Sequence, residues 1–228
     1  MPQHGWVMDE NRVGIGSMHN FRCRRRGLMV GAAAAALIGA APRAGFGDEA
    51  AAVAPIQQLV DGLLAVMKAG MGTPFPQRFE MLRPVIERTF DLTAILQESV
   101  GALWGSLPPD QQAMLADAFR RYTIATYVNG FDSFDGQQFV ISPTTRAVGN
   151  EQVVQTRIVP KAGDSHELDY VMREGGSGWR AVDVLADGSI SRVAVQRSDF
   201  RRLLARGGAQ ALVDSLRSKS MDLSDGQA

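Results

Sequence analysis

The side chains best placed for chemistry lie in the second half of the chain. Asp183 stands between Val182 and Val184 in an apolar run, and an acid embedded in a sheet can serve as a general base. The simpler reading of Asp183 is a hydrogen-bonded structural aspartate. Asp169 alternates with apolar neighbours and reads as a solvated carboxylate. His166 is the one histidine after residue 47; its place at the start of a strand-like segment is too exposed for a Ser-His-Asp arrangement. Gly175-Gly176-Ser177-Gly178 holds a serine among glycines, but it lacks the spacing of a nucleophile elbow and reads as a hairpin turn.

Other chemistries are missing their residues. The sole cysteine is Cys23, so no disulfide forms within one chain and the rest has no thiol nucleophile. One histidine cannot build a histidine-rich metal site. No phosphate-cradling loop or dinucleotide fingerprint follows a strand. No metal, cofactor or enzymatic activity is expected.

These groups must be positioned by a domain whose composition is ordinary: 45% hydrophobic, 21% charged, enough for one core. The formal net charge of zero hides an asymmetry. Residues 1–47 hold six arginines against Asp9 and Glu10, which leaves 18 basic and 22 acidic side chains in 48–228. That portion is therefore about −4, which argues against a nucleic-acid partner.

The N-terminus has the three parts of a secretion signal. Arg22–Arg26 is basic, Leu28–Ala41 is apolar, and small residues continue through Gly47. Fourteen helical residues reach only roughly 21 Å, short of the ~30 Å bilayer core. The Arg25-Arg26 pair resembles a twin-arginine signal, although no Ser or Thr precedes it. The expected organisation is a signal peptide over 1–47, a folded domain over 48–220 and a flexible tail over 221–228. The folded part is expected in the periplasm, with an uncleaved membrane anchor as the alternative.

Apolar spacing predicts helices over 55–69, around Phe79–Phe90 and from an Asp91 cap through Leu103. Ser106 and the Pro108-Pro109-Asp110 run start another that ends near Gly130, carrying Leu115, Phe119, Tyr122 and Thr126 on one stripe, with Asp117 and Arg121 paired in solvent. Four strands follow, over 138–142, 152–160, 166–174 and 179–186, separated by Pro143, Gly149-Asn150, Gly163-Asp164 and the glycine-rich turn. Leu168, Tyr170 and Met172 face one way; Glu167, Asp169 and Arg173 face the other. Helix returns over 190–206, and a last helix follows Gly207-Gly208. The class is α+β, with N-terminal helices, a roughly four-stranded, mostly antiparallel sheet, and C-terminal helices.

Residues 102–132, "ALWGSLPPDQQAMLADAFRRYTIATYVNGFD", resemble the MlaC family of periplasmic lipid-binding proteins, also called the toluene-tolerance family. Trp104, Ser106, Gln111, Gln112, Phe119 and Tyr127 occupy its pattern. Residues 178–219 resemble its closing segment. Asp187-Gly188-Ser189-Ile190-Ser191, Arg197–Phe200 and Gly207–Leu212 bend the likeness toward the hopanoid-associated HpnM branch. The likeness spans about 55–220.

The resemblance implies an NTF2-like sheet and helices around an apolar cavity, and a soluble carrier of phospholipid or hopanoid. It implies an inner-membrane ABC transporter complex and an outer-membrane lipid acceptor or donor as partners, and a monomer. Strand residues Phe139, Ile141, Val154, Ile158, Tyr170 and Met172 would form one cavity wall. Phe119, Tyr122, Val193 and Phe200 would form the other. The alternatives are that the same residues simply fill a core in an exported scaffold, or that Asp183 serves an enzyme.

Overall fold

A computed structural model describes residues 46–225; all but the last two residues of the expected signal peptide, Phe46 and Gly47, lie outside them. Five α-helices and five strands follow in the order α1 (Phe46–Ala69), α2 (Phe75–Thr89), α3 (Leu92–Val100), α4 (Pro109–Gly130), β1 (Gln138–Val148), β2 (Glu151–Val159), β3 (His166–Gly175), β4 (Gly178–Ala186), β5 (Ile190–Ser191) and α5 (Arg192–Asp225).

Ile56, Leu59, Leu63 and Val66 recur every three or four residues on α1 and are fully buried against the sheet and α2. By length and composition Asp48–Ala69 could cross a membrane, but here its apolar stripe is a core face. The helix begins nine residues before the expected start. An alanine-rich stretch, Ala50–Ala54, continues it through Pro55, whose missing N–H forfeits one backbone bond. On α2, Arg78 is completely buried. Its Nε donates to the Thr73 carbonyl at 3.0 Å, and its guanidinium lies 5.9 Å from the Phe75 ring centre. Burial pulls its pKa down, and the negative charge of Asp132 partly restores it.

Asp91 caps α3 as expected, accepting from the Ala94 N–H at 2.9 Å. The helix stops at Val100, because Gly101 turns to a φ of 73°, and Leu103 falls in a short 3-10 turn over Gly101–Ser106. Ser106 does not start α4: its hydroxyl donates back to the Leu103 carbonyl at 2.7 Å, and Pro108 precedes the first turn. The Gln112 amide ties the junction together by donating to the carbonyls of Trp104 and Leu107. Asp117 pairs in solvent with Arg121, as expected, and also with Arg120. Arg120 reaches Glu87 on α2 at 3.1 Å. Its hydrogen bond is the main reason the Asp117 carboxyl sits below its usual pKa.

The five strands lie side by side in chain order, every pair antiparallel. Val154 is opposite Tyr170, Thr156 opposite Leu168 and Ile158 opposite His166, so these side chains share the face under the helices. Three expectations need correction. First, β1 is not ended by Pro143 but runs to Val148 with an irregular register between Ile141 and Thr145; β1 is an edge strand, where proline costs no ladder bond. Second, the expected strand count is one short. Asp187 and Gly188, at φ values of 50° and 68°, turn the chain into β5, and the Ser189 N–H donates to the Ala186 carbonyl at 3.2 Å. Two successive positive φ angles are the mark of a tight hairpin turn. Third, Asp169 points away from the helices yet is only 4% exposed.

α5 breaks at Gly207-Gly208, with Gly208 at a φ of 63° and Gly207 too close to Ala211 to carry a Cβ. The chain is helical to Asp225; the last three residues of the tail expected over 221–228 lie outside the described residues.

Candidate functional site

Between α3, α4, the start of α5 and the ends of β2–β4 lies a cleft of about 360 Å³, partly open to solvent. α4 supplies its longest wall. Phe119, Tyr122, Thr123, Thr126, Tyr127 and Gly130 recur at helical spacing along it. The two threonines look polar in sequence but not in place. Thr123 donates its hydroxyl to the Phe119 carbonyl at 2.9 Å, and Thr126 donates to that of Tyr122 at 2.8 Å. With the hydroxyls satisfied within the helix, the methyl groups remain for the cleft.

Aromatic rings form the floor. Phe90 and Tyr127 have ring centres 5.4 Å apart, and Tyr127 stacks on Phe131 at 6.0 Å. Leu92 and Ile95 close one side, and Ile158, Leu168, Val184 and Val193 another. Burial drives the Tyr127 hydroxyl far above its ordinary pKa, with the nearby Arg192 charge opposing. Tyr170, behind Phe90, is pushed up for the same reason and by Tyr127 itself. Both phenols are neutral at any physiological pH.

The charged and strongly polar groups come from the start of β3, from β4 and the turn after it, and from the start of α5: His166, Glu167, Asp183, Asp187, Arg192 and Gln196. Asp183 is fully engaged. Its Oδ1 accepts from the Val184 and Val193 N–H groups at 2.8 and 3.0 Å, and its Oδ2 accepts from the Ser191 hydroxyl. Ser191 in turn accepts from the Ala194 N–H at 3.0 Å. Aspartate and serine thus cap the first turn of α5, satisfying donors that a helix start leaves open. The serine–aspartate contact is direct, with no imidazole between them.

Of the ten residues expected to wall a cavity, Phe119, Tyr122, Ile158 and Val193 line this cleft. The other six do not. Phe200 backs Phe119 edge-to-face at 6.2 Å, and Tyr170 backs Phe90 at the same separation. Phe139 abuts Phe131 at 6.0 Å from behind. Val154 and Met172 are wholly buried in the core, and Ile141 packs on its edge. Among the lining residues not expected to wall a cavity are the Phe90–Tyr127–Phe131 floor and the two threonines, although Thr126 was placed on the apolar stripe of this helix. The threonines were detectable as the continuation of the Phe119–Tyr122 stripe.

A family model described as MlaC protein matches residues 57–218, which takes in every lining residue. The chain belongs to the MlaC family. The MlaC fold also appears in a solved structure, the phospholipid-binding protein from Ralstonia solanacearum in complex with a phospholipid. The two chains are 24% identical with a TM-score of 0.66, over 76% of this chain and 98% of that one. No curated protein matches the chain.

Proposed function

We propose that this MlaC-family chain is a non-catalytic lipid carrier that takes the apolar part of a phospholipid or hopanoid into the cleft beneath α4. The reading is supported above all by the cleft: its walls are mainly aromatic and aliphatic, and its charged groups come only from β3, from β4 with the turn after it, and from the start of α5. The fold is one in which another protein was solved holding a phospholipid. A lipid of about 30 carbons loses on the order of 20 kcal/mol when exposed to water, at ~0.8 kcal/mol per methylene. Such a molecule crosses an aqueous gap only inside a carrier.

The same reading extends to location and partners. The basic and apolar segments of residues 22–41 serve as an export signal, and the folded domain works in the periplasm. It exchanges lipid with an inner-membrane ABC transporter and with an acceptor or donor at the outer membrane. The Asp187–Ser191 hairpin favours the hopanoid-associated branch. An Asp183 enzyme fits less well, because that carboxylate is occupied by three donors at the start of α5. An exported scaffold fits less well because the residues of the cleft do not interdigitate into a filled core.

The test is lipid mass spectrometry on the exported protein, purified without detergent from a hopanoid-producing host. One lipid per chain is expected, and its mass names the cargo. A protein that emerges empty and takes up nothing from added vesicles refutes the carrier.

A further inference from the structure

A second recess, of about 310 Å³, lies where the two halves of α5 meet. Asp199, Arg202, Leu203 and Arg206 line it from before the Gly207-Gly208 break, and Ser215 and Lys219 from after it. Its character is opposite to that of the first cleft. Three cations face it against one carboxylate, and that carboxylate, Asp199, is paired with Arg202. Arg206 has no ion pair among the described residues.

The surroundings extend the charge. From Arg192 to Lys219 the chain carries seven arginines and lysines against Asp199 and Asp214. A segment of +5 thus sits in a portion, residues 48–228, whose total is about −4 by formal count. Like charges gathered on one helix repel each other, and in isolation they weaken the fold. Arg197 is offset by Glu98 on α3 and Arg202 by Asp199; the field of the remaining cations attracts an anionic partner. Guanidinium forks match phosphate oxygens two at a time, and the Ser215 hydroxyl adds a donor.

The recess is also joined to the cleft. The Lys219 ammonium lies 5.9 Å from the centre of the Tyr122 ring, and Tyr122 is a wall of the cleft. Whatever binds the cations is therefore held beside the apolar site.

We propose that this recess is the docking surface of the protein on an anionic bilayer, with Arg202, Arg206 and Lys219 gripping lipid phosphates. Its purpose rests on the carrier reading: docking here brings the cleft wall to the source or destination of the cargo. The contact is electrostatic and shallow. It holds the protein long enough for exchange and lets go without inserting.

The test is flotation of the exported protein with vesicles of phosphatidylcholine alone or mixed with phosphatidylglycerol, while cleft occupancy is followed by mass spectrometry in the same samples. Binding is expected only with phosphatidylglycerol, and added salt should weaken it. At roughly fivefold per cation near a charged surface, Arg206→Gln with Lys219→Gln should weaken binding about thirty-fold. Arg83→Gln, which removes an exposed cation of α2 paired with Glu80, should not change it. Unchanged flotation of the double variant, or equal flotation with phosphatidylcholine alone, overturns the proposal. Release by inorganic phosphate, where chloride of equal ionic strength does nothing, also overturns it and leaves a small-anion site. An empty cleft in protein that still floats selectively sinks the carrier reading and keeps the docking surface.

Discussion

Thr126→Trp tests the cleft most directly. Thr126 lies mid-way along the α4 wall, and its hydroxyl bonds only within its own helix, so replacing it orphans no partner. An indole there projects into a void of about 360 Å³, where it competes with the ligand rather than with core atoms. A buried tryptophan covers on the order of 150–250 Å², which is contact area that the lipid then loses. At ~25 cal/mol per Å² that is about 4–6 kcal/mol, or roughly a thousandfold in affinity at the low end. The melting temperature should hold or rise, because apolar surface is added where water or lipid stood. Ser218→Trp, at an exposed site on α5, controls for adding an indole. The assay is lipid occupancy by native mass spectrometry, together with uptake of a fluorescent lipid from vesicles. If Thr126→Trp loads like the parent while folded, the cleft is not where the ligand sits.

Other expectations follow from the same geometry. Asp183→Ala should cost about 1–2 kcal/mol in urea denaturation through loss of the α5 cap, with lipid loading retained; a loss of some catalytic turnover with stability intact would speak for the enzyme instead. Arg78→Met should lower the melting temperature, because it removes the donor to the Thr73 carbonyl and the positive charge that acts on the buried Asp132; a melting point within a degree or two of the parent's would contradict a structural role for that charge. For Asp169, burial raises the carboxyl pKa most. The Gln155 hydrogen bond opposes this, Glu167 adds to it, and Arg146 and the Thr156 backbone lower it. The folded state thus holds this proton more tightly than the unfolded chain does. The stabilisation is complete below the ordinary carboxylate range and is lost as pH rises through the raised value. Asp169→Asn should therefore raise the melting temperature near neutral pH and leave it unchanged in acid; a variant that melts lower at neutral pH would show that the charged form is the favoured one.

What could be read in advance follows the reach of local rules. The 3.6-residue stripe of α1 and α4 and the alternation of β3 depend on each residue's own neighbours, and both were legible. The length of β1 was not, because tolerance of Pro143 depends on that strand lying at the sheet edge. The Asp187-Gly188 pair is a strong hairpin signal, but β5 is only two residues long and gives no alternation to detect. Asp169 shows the limit of parity. Alternation correctly placed it away from the helices, yet it is buried, because Gln155, Glu167 and the Gly188 turn close over it. The cleft was half legible for a similar reason. Inward-facing strand residues are marked by alternation, but whether Phe200 or Tyr170 lines a void or stands behind another ring depends on what α4 and Phe90 place in front. The helix wall needed only one stripe, and its first two members were identified.

The chain-order sheet bears on how the protein reaches its folded state. Each of its four pairings joins consecutive strands, and the connections run from two residues, Gly149 to Asn150 and Gly176 to Ser177, to six. Such closures are short-range and fast. α1 is the exception: it rests on a sheet whose first strand is separated from the end of the helix by 68 residues. A chain emerging N-terminus first would thus hold this long apolar helix with only α2 against it and its sheet-facing side uncovered until the strands had arrived, and pulse-labelled hydrogen exchange should find β2–β4 protected before α1. During that interval the exposed face of α1 is the part of this protein that most needs a chaperone.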